Sequence, residues 1–496
     1  MAYIIGVDDV SKKVKDVAVG VDGIATFVKR GYIGVDGVAR KFYDRASYQK
    51  RLYFFPTGRT SGVKNITNKL YSVTEFGTDP IEYTFDDEII VSIVDTTDTW
   101  DNPTYATWPY VNNAKMFYDP KTHRLCICAF RITPNTTSSC SSMVFYTIDC
   151  NKNTIIDKKI VDFSNTSSAV ILVYYDTFTF KYSHEMGCVF VVWTDTLDNS
   201  YYKFNCYDIR NLTIKTCSTA GSYYALPGFV VTPTSTGCRL ACIERLISIT
   251  STAYHNIYDW NFNNNTITVS APSTPLPTTS RGCCFIWPHS YYNKNIMPNP
   301  FGLCFLGAGT SGKSDTGYII TKDGYAGSTI SITSSLMTAR KFGMSNTHGF
   351  MWVQGNNGVT LAKYLTSYAE TNNPTGGMAN NSGRTFEGPV IGGGIITGYS
   401  DANNAVIYAN VSGSYYNITP QVFGPYNTPI CDGINLKEVL IPNSNQFLVY
   451  DFNQAAYTTP ISVAGVMSQY NITPCPYVAL LSWTEEEQNA LVNLGY

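Results

Sequence analysis

Charge is what this 496-residue chain has least of. Asp, Glu, Lys and Arg make up 15% of it and the net charge is −2, where an average soluble domain carries about a quarter charged residues. Such a balance leaves no electrostatic footprint for nucleic acid or for an anionic membrane. Long apolar runs are also missing. Residues 169–175 are about as far as one extends, well short of the ~18 needed to cross a bilayer. The opening Met1-Ala2-Tyr3-Ile4-Ile5-Gly6 has neither a basic n-region nor a useful h-region, so the expectation is synthesis in a cytoplasm without signal-directed export. Histidine is scarce. His123, His184, His255, His289 and His348 form no H-x-x-x-H or triad pattern.

Cysteine is not scarce, but its placement excludes a disulfide scaffold. Cys126, Cys128, Cys188, Cys238, Cys242 and Cys304 sit inside apolar strand-like runs, where a thiol behaves as a small hydrophobe. Cys126-Ile127-Cys128 has no partner pair at zinc spacing. No cofactor or metal is expected. In a cytoplasmic setting the sequons at Asn65, Asn135 and Asn165 stay unmodified.

What the chain does have, first, is a repeat. From Ile4 the sequence cycles with a period of 14 residues, aligning Gly6, Gly20 and Gly34, and likewise Asp8, Asp22 and Asp36. Each unit is a short apolar run, an Asp-Gly (Asp-Asp in the first copy) and a second run ending in Val14, Val28 or Phe42. Asp-Gly between such runs predicts a hairpin, because a type I′ turn needs positive φ at both central residues. An isolated hairpin is only marginally stable in water. The array therefore needs neighbours, either other copies or a partner, and its open strand edges favour self-association. Gly6, Asp8, Gly20, Asp22, Gly34, Asp36 and Phe42 are its candidate partner-binding residues.

The run Gly34-Val-Asp-Gly-Val-Ala-Arg-Lys-Phe42, with its degenerate upstream copies, resembles the repeats that open many tail and tail-fibre proteins of phages infecting Gram-positive bacteria. The likeness covers about Ile4 to Arg45, and the first copy departs from it at Asp9 and Ser11. It implies a virion protein, assembled in the host cytoplasm and contacting other tail or baseplate proteins. It implies no chemistry.

Residues 46–110 read as a transition segment with few strand candidates, notably Glu88 to Val94. A looser repetition then opens near Met116, Phe180, Phe229, Phe285, Phe342, Val390 and Val439, at intervals of 48 to 64 residues. Units of this size holding four strands are the signature of propeller blades. The expected fold is all-β: a hairpin array (1–45), then a β-propeller-like body (111–482) of six or seven blades, one of them assembled from both ends. Runs such as Arg239-Leu-Ala-Cys-Ile243 and 392–399 suit inner strands covered on both faces. A β-sandwich pair or a β-helix is the alternative. A short C-terminal helix (483–496) is predicted from the capping box Thr484-Glu-Glu-Glu487 and the stripe of Leu491, Val492 and Leu494.

Two motifs invite an enzymatic reading. Gly307-Ala-Gly-Thr-Ser-Gly-Lys-Ser314 fits the phosphate-loop pattern, but that loop works by opening a helix. Here 315–324 reads as a hairpin arm. A glycan-degrading enzyme would need two carboxylates across the scissile bond. Glu185, Glu244, Glu387 and Asp401 are scattered candidates that no spacing brings together. Non-enzymatic binding is the expectation. Tyr201, Tyr223, Tyr291 and Tyr415, each in a Tyr-Tyr pair beside turn-forming residues, are candidate contacts for a host-surface glycan or protein. Each is as well explained by inward packing. A purely structural virion protein is the third reading.

Overall fold

The computed structural model describes residues 18–21, 24–27, 30–35, 38–44, 49–56, 64–93, 114–132, 139–162, 170–171, 178–194, 201–220, 225–245, 252–279, 283–286, 301–306, 316–321, 324–331, 342–344, 350–354, 360–366, 369–372, 384–385, 393–401, 404–411, 414–418, 437–443 and 445–493. Two hairpins come first. Strand β1 (Ala18–Val21) pairs with β2 (Ile24–Phe27), and β3 (Arg30–Val35) with β4 (Val38–Asp44). Val21 faces Ile24 and Val35 faces Val38. Two residues are left to close each hairpin, the spacing for which Asp-Gly is suited. Gly20, Gly34 and Phe42 lie in β1, β3 and β4. Gly6, Asp8, Asp22 and Asp36 lie outside the described residues. Each hairpin is a two-stranded sheet of its own.

The body is all-β and propeller-like, built from antiparallel groups that follow one another along the chain. Group one holds β5 (Arg51–Pro56), β6 (Lys64–Thr74) and β7 (Ile81–Ile93). Its remaining strand comes from the far end of the chain: Pro474–Leu481 pairs with β5, setting Leu481 against Leu52 and Ala479 against Phe54. Group two is β8 (Lys115–Asp119), β9 (Arg124–Ile132), β10 (Ser139–Asp149) and β11 (Thr154–Asp162), with β12 (Val170–Ile171) also on β10. Group three is β13 (Phe178–Ser183), β14 (Cys188–Thr194), β15 (Tyr201–Asp208) and β16 (Thr213–Ala220). Group four is β17 (Ala225–Pro233), β18 (Gly237–Arg245), β19 (Thr252–Asn261) and β20 (Thr266–Thr279). Group five is β21 (Cys283–Ile286), β22 (Phe301–Leu306), β23 (Thr316–Thr321) and β24 (Gly324–Ser331). Groups six and seven span 342–372 and 384–417, and group eight spans 438–462.

Among the described residues the groups therefore number eight, where six or seven blades were expected. The seven starts read from the sequence mark groups two to eight. The one missed is group one, because β5 to β7 fall in the stretch 46–110 taken for a transition. That stretch shares a sheet with the closing strand, and the tail of β7 even pairs with β9, joining groups one and two. First strands abut around the body: β13 on β17, β17 on β21, and the closing strand between β8 and Glu438–Asn443.

Why these sequences make blades is clearest in β5, where every residue is buried. Leu52 and Phe54 pack on Leu440, Phe447, Val449 and Ile461 of group eight. Tyr53 and Phe55, pointing the other way, pack with Met116, Tyr118, Leu125 and Ile127 of group two. A strand covered on both faces is apolar throughout rather than alternating. The next seams repeat this. Cys126, Cys128 and Phe145 meet Val189, Val191 and Tyr207, then Phe190 and Phe204 meet Phe229, Leu240, Tyr258 and Trp260. Cys126, Cys128, Cys188, Cys238 and Cys242 do serve as small core hydrophobes, and burial pushes the thiols of Cys126 and Cys128 well up; the Cys304 side chain lies outside the described residues. Asn65 is buried in β6, where a glycan could not be attached.

Among the described residues two helices complete the body. The sequence did not signal α1 (Ala464–Tyr470); its Val466 enters the seam between groups eight and one. Helix α2 (Glu485–Asn493) is the predicted one. The Thr484 N–H donates to Glu487 Oε2 at 2.8 Å and the Glu487 N–H to Thr484 Oγ1 at 3.0 Å, the expected capping box. Val492 is 49% exposed, so that part of the stripe does not enter the core.

Candidate functional site

The body has two unlike ends. One carries short turns, and five of them are built alike. Asp149, Asp208 and Asp451 each accept backbone N–H bonds from the second and third residues on, at 2.7–3.2 Å. Asp119 and Asn261 each accept one such bond, from Thr122 and Asn263. In all five the fourth residue on adopts positive φ: His123, Asn153, Leu212, Asn265 and Ala455, at 52° to 56°. The side chain thus mimics a turn of backbone and fixes the reversal. An Asp or Asn followed five residues later by Thr (149–154, 208–213, 261–266) is the sequence trace of this turn.

Neighbouring turns are stitched to one another. Arg210, from the turn of group three, donates through Nε (3.0 Å) and Nη2 (2.8 Å) to the fully buried Asp119 of group two. Arg124 answers with Nη1 on the carbonyls of Ile209 and Arg210. Lys215 donates to the Phe262 carbonyl and Asn265 to that of Thr216, tying group three to group four. These contacts put the short turns on one side of the body. The connections 57–63, 133–138, 195–200 and 246–251 leave from the opposite side, as does the longest between neighbouring groups, 94–113; all lie outside the described residues.

The hairpin array joins the body at the turn side. Six residues separate Asp44 of β4 from Arg51, a span of at most about 25 Å. Arg51 donates its N–H to Ser482 Oγ, accepts the Ser482 N–H at its carbonyl, and stands in register with Thr74, beside the turn to β7. Lys50, one residue earlier, bridges Glu438 at 3.0 Å and Glu487 at 3.8 Å, and Lys437 reaches Glu487 at 3.1 Å. Burial alone would raise the Glu487 pKa, but Lys50, the Thr484 N–H and Lys437 together hold it below the ordinary value.

Two of the four candidate tyrosines lie on described strands. Tyr201 opens β15 opposite Ala220, at the long-connection side of group three. Tyr223 belongs to the next connection, outside the described residues. Tyr291 is also outside them, between the first and second strands of group five, where groups two to four have their short turns. Tyr415 sits in a strand of group seven. The candidate carboxylates fall on different elements. Glu185 is in the turn before β14, whereas Glu244 lies at the far end of β18, and Asp401 is two groups beyond the fifth. Glu387 is outside the described residues, as are His289, His348 and the phosphate-loop match. After that match comes the β23–β24 hairpin, not a helix. His123 meets the Tyr118 hydroxyl at 3.1 Å, and burial lowers its pKa. Among the described residues no three His, Cys, Asp or Glu cluster closely enough to hold a metal, and no helix is long and apolar enough to cross a membrane.

A concave site also lies among the described residues, and the sequence reading passed over it. A cleft of about 350 Å³ opens in group four near its turns, with Arg239, Asp259, Thr234, Thr236, Thr266 and Thr268 on its walls. Register aligns Thr232, Arg239, Asp259 and Thr268 in one row across all four strands. The row next to it holds Cys238 and Trp260, which face group three. The polar row is on the other face, toward group five. Arg239 binds Asp259 at two points, Nε–Oδ1 at 2.8 Å and Nη2–Oδ2 at 3.1 Å. The signal available in the sequence was a charged residue inside each of two apolar runs, Cys238-Arg-Leu240 and Tyr258-Asp-Trp260.

No family model and no curated protein matches the chain. Among solved structures it is similar to the dihydro-heme d1 dehydrogenase NirN in complex with DHE, at 9% identity and TM-score 0.43, over 83% of this chain and 73% of that one. A prolyl endopeptidase matches at 9% and 0.40, over 82% of this chain, which spans 55% of that enzyme. The Dos1 propeller matches at 12% and 0.39, over 80% and 93%. At such scores the likenesses carry no argument. The class of protein, all-β with a propeller-like body, follows from the strand order.

Proposed function

We propose that this is a virion protein of the phage tail or tail-fibre type, anchored by its N-terminal repeats and presenting the body to a host-surface ligand or to another virion protein. The observation that carries the reading is the separateness of the repeats. Among the described residues both hairpins pair only internally, and six residues separate them from the body. A two-stranded sheet of this size is stable only against neighbours, so the array serves a docking role and brings copies of the chain together. The body, by contrast, is closed on itself by its last strand and needs nothing from the array.

The test is deletion of residues 1–45. The shortened chain is expected to be a folded monomer that no longer enters particles, while the intact chain assembles. A shortened chain that still assembles rejects the docking role. If purified body releases reducing ends from host wall polysaccharide, the glycan-degrading alternative replaces the binding one.

A further inference from the structure

We infer that Phe76, at the tip of the β6–β7 turn, is a contact through which the body of one copy meets the turn side of the next. This rests on the reading of the repeats as a self-associating anchor and deepens it by naming a surface and its partner, a second copy of this chain. Among the described residues Phe76 is the most exposed large hydrophobic side chain, at 75%. The other turns on this side treat their apolar residue differently. In each of the five headed by Asp or Asn, the next residue is apolar and turns inward. Pro120, Ile209 and Phe452 are buried, and Cys150 and Phe262 pack against core clusters. Tucking Phe76 in likewise would have added to stability, so stability does not account for its position.

The turn is built to hold this tip out. Thr74 Oγ1 accepts the N–H groups of Phe76 (3.3 Å) and Thr78 (3.1 Å), and the Thr74 and Thr78 hydroxyls meet at 2.8 Å. Backbone bonds close the loop, from the Gly77 N–H to the Thr74 carbonyl and from the Thr74 N–H to that of Thr78, each at 2.9 Å. Arg51 donates to the Asp79 carbonyl at the far end of the turn. Gly77 has a φ of 75°, and a Cβ there would run into the Ser462 carbonyl of group eight. A tip pinned this firmly loses little freedom on contact, which favours an aromatic anchor.

The tether selects the partner. The Glu75 N–H donates to the Lys50 carbonyl at 3.0 Å, so Phe76 stands beside the point where the connection from the array enters the body. Six residues separate Asp44 from Arg51, a reach of at most about 25 Å. Arrays that associate therefore hold the β6–β7 turns of neighbouring copies close together, at a high effective concentration. One ring buries far too little surface to join two bodies unaided. It adds to an association the arrays provide, consistent with the monomer expected once residues 1–45 are removed. An untethered partner would need a broad apolar patch. The other large hydrophobic side chains exposed among the described residues are Ile160, Val269, Tyr457 and Val492, on β11, β20, group eight and α2. They are spread over four different elements.

The intact chain is made with the photo-crosslinking residue benzoylphenylalanine in place of Phe76, and separately in place of Val269, which is 52% exposed on β20. Copies carrying two different tags are co-expressed, so that a link between copies is captured as a product bearing both, and its peptides are mapped. Position 76 is expected to link to the body of the other copy in roughly tenfold or greater excess over position 269, and deletion of residues 1–45 is expected to abolish the links. Phe76→Ser in the intact chain is expected to leave the melting temperature and the oligomer unchanged. Its radius of gyration in X-ray scattering is expected to grow as the bodies part. Links confined to one copy, links only to residues 1–45, a yield no greater than at position 269, or an unchanged radius of gyration overturns the inference. In each of those cases the oligomer remains and the docking role of the repeats stands. An intact chain that is monomeric overturns both.

Discussion

Asp119 is the residue on which the second and third groups most depend. Its carboxylate is fully buried and takes two bonds from Arg210 and a third, at 2.6 Å, from the Thr122 hydroxyl. The same guanidinium donates to the carbonyls of His184 and Glu185. Removing one member of such a pair leaves the other charge buried and uncompensated, at a cost of about 3–5 kcal/mol. Asp119→Ala is therefore expected to lower the unfolding free energy by that order in denaturant titrations. Arg124→Ala, which loses carbonyl contacts but strands no charge, is expected to cost less. Little of this was legible beforehand. Asp119 lies in an ordinary-looking Asp-Pro turn, and its partner is 91 residues away. The recurring Asp or Asn with Thr five residues on was there to be read, but it was masked by a composition already rich in Asn and Thr. Arg239 and Asp259 were missed for a related reason. Each stands in an apolar run, and only the strand register reveals that they face each other.

At the scale of elements, the closing strand and α2 act together. Pro474–Leu481 completes group one, Ser482 locks to Arg51 through both backbone and hydroxyl, and Thr484 begins the helix. Thr484→Ala removes the side-chain half of the capping box and is expected to cost about 1 kcal/mol, read as a lower melting temperature. Acid should loosen the same corner. The folded pKa of Glu487 is depressed from 4.5, so its contribution is complete above the ordinary carboxylate value and is lost as pH falls through the folded one. Glu487→Gln is expected to flatten the acid limb of a stability-against-pH curve while leaving the slope above pH 5 unchanged; an identical acid limb would remove Glu487 from the account. The capping box was legible because it is local chemistry over four residues. The partner of the closing strand was not, since β5 and Pro474–Leu481 meet only through the tertiary fold. Nor was α1, whose seven residues have no side-chain cap to announce them.

For the whole molecule, the relation between array and body makes the sharpest prediction. The body holds its two ends together by pairing a strand from residue 474 onward with one that starts at residue 51. The described strands before residue 45 pair only with one another, while Pro474–Leu481 belongs to that ring of contacts. Truncation should thus be strongly asymmetric. Deleting 1–45 is expected to leave the cooperative unfolding of the body and its melting temperature unaltered. Deleting 474–496, about half as many residues, strips β5 of its inner neighbour and uncovers Leu52, Phe54 and the aromatic pair of Phe54 with Phe447, 5.8 Å apart. Emptying such a site of a single large side chain costs about 2–5 kcal/mol. Loss of a whole strand that also contributes Val478, Leu480 and Leu481 to two seams exceeds the stability of an ordinary domain. The C-terminally shortened chain is expected to be insoluble or to lack a cooperative melt, and a peptide of residues 474–483 added during refolding is expected to restore one in part. A C-terminal deletion that melts like the intact protein would mean that the ring is not closed by this strand.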